Sequence, residues 1–319
     1  MADPSRRLRA FPAVLAILAI GSAGCNRSQP AERRQAPAVA AATPAPVPVP
    51  ADQLRLPRKP GSVRFAAIGD SGRGDQAQYG VSAQMQAYRK VFSYDFVVML
   101  GDNIYDSWTP EDYRQKFELP YKPLLDSGVT FHAAIGNHDD AAQPNYPLFN
   151  MGGQRYYTFK PTSLVAQLAG TDVRFFMIDT ERLDRTQLEW IDREMGGSNS
   201  EWKIAIFHRP IYTSGRYGFA ARGLRRSLEP LFVKHGVKAV FSGHEHFYER
   251  TKPQQGITYF ISGGAGSLRP NDIRPSELTD AGFDRDYHFM LVEISGDDMF
   301  YQAIARTGAT IDAGVVRRK

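Results

Sequence analysis

The chain has 319 residues, of which 42% are hydrophobic and 23% charged, and this balance excludes a fibrous or wholly disordered protein. Its net charge of +5 comes from residues 1–60, where nine basic residues face three acidic ones, whereas the rest of the chain is nearly neutral. Because nucleic-acid binding needs basic residues clustered on a folded face, we expect no nucleic-acid partner. The single cysteine, Cys25, excludes an intrachain disulfide.

The chain begins with the pattern of an export signal. Three arginines precede the apolar run 10–20, which small residues and Cys25 follow. Since this run is too short to span a bilayer comfortably, the pattern favours a signal peptide over a transmembrane helix. The end of the segment resembles a bacterial lipobox, with Ser22 where leucine is usual. We therefore expect residues 1–25 to be a signal peptide with a lipidated Cys25, and cleavage near Ala23 with a free thiol is the alternative.

Residues 26–60 are rich in alanine and proline, and proline occupies every second position from 44 to 50. Such a segment cannot bury enough apolar surface to fold, and it favours an extended polyproline conformation. We expect a disordered tether that joins a lipid anchor in the membrane to the folded body of an exported, periplasmic or cell-surface protein. The alternative is a disordered tail with no anchoring role.

Residues 61–306 alternate short apolar runs with amphipathic helical patterns. The predicted strands are 63–68, 96–100, 129–135, 173–178, 203–207, 237–241, 257–261, 289–294 and 299–305, and the predicted helices are 77–92, 184–195 and 223–234. Apolar runs bounded by turn residues and separated by helices indicate an α/β body with buried strands. No linker interrupts this stretch, so we expect one domain over 61–306 and a C-terminal tail over 307–319.

Residues of the types that bind metals follow the ends of most predicted strands. The five clusters are Asp70-Ser71-Gly72, Gly101-Asp102-Asn103-Ile104-Tyr105, Gly136-Asn137-His138-Asp139, His208-Arg209-Pro210 and Gly243-His244-Glu245-His246. Each cluster alone is a weak indication, but ligands of open α/β sheets bind beyond the carboxyl ends of the strands. Their joint occurrence therefore predicts one site at a single sheet edge.

These five blocks resemble, in type and in order, those of the calcineurin-like metallophosphoesterases, and within them the purple acid phosphatases of the tartrate-resistant type. The resemblance covers about 61–306. Gly72 stands where many relatives have a histidine, and Tyr105 lies three residues after Asp102, which favours the subgroup with a tyrosinate ligand. The resemblance implies a four-layer α/β/β/α sandwich with its active site at the strand carboxyl ends. It also implies two metal ions, Fe(III) with a divalent Fe, Zn or Mn.

The resemblance also assigns the ligands of the two metals. It gives the first metal Asp70, Asp102, Tyr105 and His246, and the second metal Asp102, Asn137, His208 and His244. Asp102 bridges the two ions, which would activate a water as hydroxide for attack on phosphorus. His244 and His246 are two residues apart and would point to opposite faces of a strand, so we expect a turn at Gly243.

The expected reaction is the hydrolysis of small phosphate monoesters, with Asp102 and His138 as catalytic residues. His138 would contact the phosphoryl oxygen or protonate the leaving group, and Asp139 would orient its imidazole. Asn137, His138 and Arg209 are the expected substrate-binding residues, and Tyr212 and Tyr217 are further candidates for the cleft. Two alternatives are a phosphodiester or nucleotide hydrolase with the same metal ligands, and a surface-anchored binding protein without turnover.

Overall fold

The computed structural model describes residues 53–161 and 171–319, so the predicted signal peptide and most of the predicted tether lie outside the described residues. The strands are β1 (Val63–Ile68), β2 (Phe96–Met99), β3 (Thr130–Ala133), β4 (Tyr157–Phe159), β5 (Val173–Met177), β6 (Trp202–Ile206), β7 (Ala239–Ser242), β8 (Tyr248–Thr251), β9 (Thr258–Ser262), β10 (Thr279–Phe283), β11 (His288–Ser295), β12 (Asp298–Ala305) and β13 (Thr310–Arg317). The α-helices are α1 (Gln76–Arg89), α2 (Pro110–Tyr113), α3 (Leu119–Asp126), α4 (Arg185–Gly196) and α5 (Ala221–Lys234), with a π-helical turn (Arg114–Glu118) between α2 and α3.

The strands form two sheets that share one core. The first sheet has the order β13-β12-β11-β1-β2-β3, and the second has the order β10-β8-β9-β7-β6-β5-β4. Strands β1, β2 and β3 run parallel, as do β5, β6, β7 and β9. The ring of Phe65 in β1 lies 5.2 Å from that of Phe175 in β5 and 6.0 Å from that of Phe241 in β7. Because both faces of the parallel strands are covered, their sequences read as continuous apolar runs.

Helices cover the outer face of each sheet. Met85 of α1 belongs to the core around the first sheet. Ile191 of α4 and Phe232 of α5 pack with Phe176 on the far face of the second sheet. The layers are therefore helix, sheet, sheet and helix, which confirms the predicted α/β/β/α sandwich. Of the described helices, none is both long and apolar enough to cross a bilayer.

The predicted limits of the folded body, 61–306, are too narrow at both ends. Residues 310–317 form β13, which pairs with β12 along its length, so the predicted tail is an edge strand. Its side chains are mostly exposed, and an edge strand with one neighbour has a weak apolar pattern. At the other end, Leu56 is buried and the backbone N–H of Arg58 donates to Glu293 of β11. The last residues of the predicted tether therefore pack on the body.

Candidate metal centre

The carboxyl ends of the parallel strands of both sheets meet at one edge and carry the predicted ligands. Asp70 follows β1, Asp102 follows β2, Asn137 follows β3, His208 follows β6 and His244 follows β7. Backbone hydrogen bonds join these strand ends, from the N–H of Asp70 to Gly101 within the first sheet and from the N–H of Gly243 to His208 within the second. The side chains of Asp70, Asp102, His208 and His244 are buried, whereas Asn137 is exposed.

A first group of four side chains converges around the phenol of Tyr105. Its Oη lies 3.2 Å from Oδ1 of Asp70, 3.1 Å from Oδ2 of Asp102 and 3.4 Å from Nε2 of His246. Asp70 Oδ1 and His246 Nε2 are themselves 3.2 Å apart. The donor atoms of Asp70, Asp102 and His246 all lie within 4.8 Å of one another, which is the arrangement of a metal site. We call this group the first cluster.

A second group of four side chains converges around Nε2 of His208 and is called the second cluster. This atom lies 3.3 Å from Oδ1 of Asp102, 3.1 Å from Oδ1 of Asn137 and 3.2 Å from Nδ1 of His244. The other ring nitrogen of His208 lies 2.9 Å from the carbonyl oxygen of Leu100, which holds the imidazole with Nε2 facing the site. Asp102 gives one carboxylate oxygen to each cluster, as a bridging ligand would.

The chemistry of the donor set fits two metal ions. Carboxylate and phenol oxygens dominate the first cluster and suit a hard, highly charged ion, whereas the amide and two imidazoles of the second suit a divalent one. Burial, together with Asp70 and Asp102, raises the pKa of Tyr105 far above its usual value, so this phenol needs a nearby cation to ionise. Although burial favours neutral His208, the Asp102 carboxylate raises the pKa of His208 to about 10.

Three of the expected ligand residues adopt a left-handed backbone conformation. The φ angles are 56° at Asp70, 52° at Asp102 and 67° at His244. Such angles are uncommon outside glycine and cost roughly 1–3 kcal/mol each, and they cluster at functional sites. The turn expected at Gly243 is therefore made by His244 itself. Glycine is required at position 243 for a different reason, namely the close approach of Asp70, because a Cβ there would lie 2.5 Å from Oδ2 of Asp70.

Asp139 does not orient His138, contrary to the expectation. Its carboxylate accepts hydrogen bonds from the backbone N–H groups of Asn103 (2.7 Å), Ile104 (3.1 Å) and Gly136 (2.8 Å). It also accepts one from the Asn103 side chain, at 2.9 Å. Burial raises the pKa of Asp139 to about 7, and the nearby Asp102 carboxylate adds to this rise. Asp139 thus ties the loop after β2, which carries the expected ligands Asp102 and Tyr105, to the loop after β3.

We expect Asp139→Ala to weaken metal binding about 10- to 100-fold, because the groups that hold ligand loops in place contribute on this scale. Three backbone N–H groups would also lose their acceptor, which lowers the free energy of unfolding by about 3 kcal/mol. Metal content after dialysis and thermal unfolding measure the two effects. Asp140→Ala is the matched control, since that carboxylate accepts from the N–H of Ala142 on the loop surface. Unchanged metal affinity in Asp139→Ala would contradict this role.

The expected substrate-binding residues lie at the open side of the two clusters. His138 is exposed, and its ring centre lies 4.8 Å from that of Tyr105. Its backbone is held on both sides, because the N–H donates to Asp102 (2.9 Å) and the carbonyl accepts from the indole of Trp108 (2.9 Å). Arg209 pairs with both carboxylate oxygens of Glu181, at 2.8 and 2.9 Å, and its Nη1 lies 3.1 Å from Nε2 of His244.

Other residues near the site were not found by sequence reasoning. The guanidinium of Arg73 lies 3.6 Å above the ring of Tyr105. Arg269 donates to the carbonyl oxygen of His244 and to the carboxylate of Glu245. Arg73 directly follows the first block and Glu245 lies within the fifth, and these positions were the available signals. Of the two tyrosine candidates, Tyr217 lies with its ring against that of His244, at a tilt of 39°, whereas Tyr212 packs near α5 and donates to Glu229.

Comparisons with known proteins agree with this geometry. Residues 63–248 match the family profile described as calcineurin-like phosphoesterase. The tartrate-resistant acid phosphatase type 5 of Rattus norvegicus is 22% identical over 292 residues, which cover 78% of this chain and 89% of the relative. Purple acid phosphatase 17 of Arabidopsis thaliana is 25% identical over 258 residues, which cover 69% of this chain and 75% of the relative.

Two solved structures share the fold. The purple acid phosphatase PPD1 from yellow lupin (Lupinus luteus) seeds superposes with a TM-score of 0.64 at 18% identity, over 81% of this chain and 55% of that one. The protein described as GAP50, the anchor in the inner membrane complex of Plasmodium, has a TM-score of 0.70 at 19% identity, over 81% of this chain and 89% of that one. At these identities the superpositions establish the common architecture of the two sheets.

Proposed function

The chain belongs to the calcineurin-like phosphoesterase family, and from this premise we propose that it hydrolyses phosphate monoesters as an acid phosphatase of the purple, tartrate-resistant type. The reaction class is phosphoester hydrolysis at a metal centre. One observation carries the proposal: Asp102 presents its two carboxylate oxygens to two separate donor clusters. This is the arrangement that a pair of metal ions sharing one carboxylate requires.

The residues at the open side of the clusters would bind and protonate the substrate. Two bound metal ions would supply positive charge and an activated water for attack on phosphorus. Asn137 and His138 are exposed there and can contact the phosphoryl oxygens. The imidazole of His138 can also donate a proton to the departing oxygen, because its backbone is fixed while its ring is free of the clusters. Arg209 adds positive charge beside the second cluster, partly offset by Glu181.

We propose Fe(III) for the first cluster and a divalent Fe, Zn or Mn for the second, because only the first contains a phenol between two carboxylates. Tyr105→Phe is then expected to abolish the visible charge-transfer absorption while leaving most of the fold intact, since the ring remains and one oxygen is lost. Absorption spectra of protein loaded with iron under oxidising conditions measure the change. A visible band that persists in Tyr105→Phe would mean that Tyr105 is not the chromophore.

The test of the function is phosphate release by the purified full chain, with and without added iron and zinc. An aryl phosphate monoester and the matching diaryl phosphate diester are compared at equal concentrations. Metal-dependent turnover with preference for the monoester supports the proposal. Preference for the diester would favour a phosphodiesterase with the same ligands. Two bound metals without turnover of either ester would favour a binding protein.

We further propose that the protein is exported and anchored to a membrane through a lipid on Cys25, and that its partner is a small phosphorylated substrate rather than a nucleic acid. The pattern of residues 1–25 supports the export, and the Ala/Pro-rich tether supports the anchoring. Cys25→Ser is expected to move the protein from the membrane fraction to the soluble fraction of the cells that export it. Retention of Cys25→Ser in the membrane fraction would refute lipidation at this residue.

A further inference from the structure

Glu245 lies between two ligand histidines and is fully buried, yet its carboxylate does not face either cluster. Oε1 accepts hydrogen bonds from the hydroxyl of Thr213 (3.1 Å) and from the backbone N–H of Tyr217 (3.1 Å). Oε2 lies 3.3 Å from Nη2 of Arg269. A buried charge is costly unless it is paired and hydrogen-bonded. The partners of Glu245 therefore indicate what this carboxylate holds in place.

What Glu245 holds is the loop over residues 213–217, which follows the ligand block at His208. A Cβ added to Gly215 would lie 2.4 Å from Oε1 of Glu245, so the loop backbone runs directly against the carboxylate. The backbone of the loop is thus attached to the same segment that supplies His244 and His246.

Arg269 completes this attachment. Its Nη2 donates to the carbonyl oxygen of His244 at 2.8 Å, and its Nε donates to Asp272 at 2.9 Å. Asp272 in turn accepts from Arg216 of the same loop, with both carboxylate oxygens at 2.9 Å. The loop is therefore fixed through Glu245 and through Asp272, and Arg269 contacts both carboxylates. The backbone N–H of Ser214 in the same loop also donates to Glu249, at 2.9 Å.

The attachment places Tyr217 beside the second cluster. Its ring centre lies 4.3 Å from that of His244, and the guanidinium of Arg269 lies 5.6 Å from the same ring. Tyr217 is half-buried, and within 53–161 and 171–319 its hydroxyl makes no hydrogen bond to another residue. The ring contacts His244 and belongs to neither cluster, so it would lie beside a phosphoryl group bound at the second cluster. Its exposed surface is available to the group that the phosphate carries.

We propose that Glu245 is a positioning residue that, with Arg269, holds Tyr217 as one wall of the substrate pocket, where the ring contacts the organic part of a phosphate ester. This inference rests on the proposed function and adds a substrate class to it, namely monoesters whose organic part is flat or apolar. The phosphoryl group is bound by the clusters, and the organic group by Tyr217, so the two contributions to affinity are separable.

The test measures the two contributions separately. In Tyr217→Ala, KM for an aryl phosphate is expected to rise about 5- to 10-fold, in line with the loss of one aromatic contact. The inhibition constant of inorganic phosphate and the metal content are expected to stay unchanged. Glu245→Gln, which keeps the size but loses the charge facing Arg269, is expected to give a smaller rise in the same direction. In the double variant the second change is expected to add little, because both act through one ring.

Glu293→Gln is the matched control, since it also neutralises a fully buried carboxylate but one that faces the N–H groups of Arg58 and Lys59. An unchanged KM in Tyr217→Ala would overturn the proposal. Equal weakening of the binding of aryl phosphate and of inorganic phosphate would also overturn it. So would loss of metal in Glu245→Gln, because Glu245 would then act on the ligands.

Calorimetric binding of phenylphosphonate to the metal-loaded protein gives the same comparison without turnover. A failure of the hydrolytic function is thereby distinguished from a failure of this inference.

Discussion

Asp102→Ala is expected to remove both metals and to reduce phosphatase activity to the level of the buffer. Both clusters would lose an oxygen at once, since Oδ2 lies 3.1 Å from Tyr105 and Oδ1 lies 3.3 Å from His208. The variant would also lose the acceptor of the His138 backbone N–H, which loosens the loop after β3. Metal content per chain and phosphate release from an aryl phosphate measure the effect.

Two further variants test whether the loss of both metals arises because Asp102 serves both clusters. Asp106→Ala removes an exposed carboxylate from the same loop and is expected to leave both metals in place. His246→Ala removes a donor of the first cluster alone and is expected to lower the occupancy of that cluster more than the other. Near-normal metal content and activity in Asp102→Ala would refute the assignment of the two clusters as a dinuclear centre.

The second large effect is expected in His138→Ala, with kcat lowered about 10²- to 10⁴-fold, the range that general acid catalysis contributes. Metal content is expected to stay unchanged, because the imidazole belongs to neither cluster and the backbone N–H that bonds to Asp102 remains. The loss is expected to be larger for an alkyl phosphate than for an aryl phosphate with an acidic phenol. A poor leaving group depends more on a proton donor than a good one does.

His235→Ala serves as the histidine control. His235 follows the last residue of α5, pairs with Asp192 of α4 and lies outside the clusters. An equal loss of kcat for both leaving groups in His138→Ala would show that His138 binds the phosphoryl group rather than protonating the ester oxygen. Loss of metal in that variant would show that the residue supports the clusters instead.

Local patterns in the sequence predicted an α/β body with buried strands, whereas the four layers and the expected metal ligands were implied by the family resemblance. Apolar runs with covered faces identify the parallel strands, and polar residues follow their ends. The predicted single sheet edge was wrong in one respect, because Asp70 follows a strand of the first sheet and His244 a strand of the second. The left-handed backbone of these residues was beyond prediction. It depends on contacts with the opposite sheet, such as the hydrogen bond from the N–H of His244 to Asp70.

The same limit explains the errors at Asp139 and at the C-terminus. Adjacency to His138 suggested a local contact for Asp139, but the partners of its carboxylate include Asn103 and Ile104, 36 and 35 positions away. Strand β13 has a weak apolar pattern because its neighbour β12, rather than burial, holds it in place. Where a residue's partners are distant in the chain, its immediate neighbours carry little information about its role.

The dependence of the ligands on both sheets has a consequence for how the protein matures. The backbone N–H of His244 bonds to Asp70, 174 positions earlier, so neither cluster exists until the two sheets have docked. A chain that has not folded offers no such site, and bound metal therefore stabilises only the native state, by about 2.7 kcal/mol at a free metal concentration of 100 times Kd. Metal supply then sets how long the folded protein survives proteolysis as well as whether it is active.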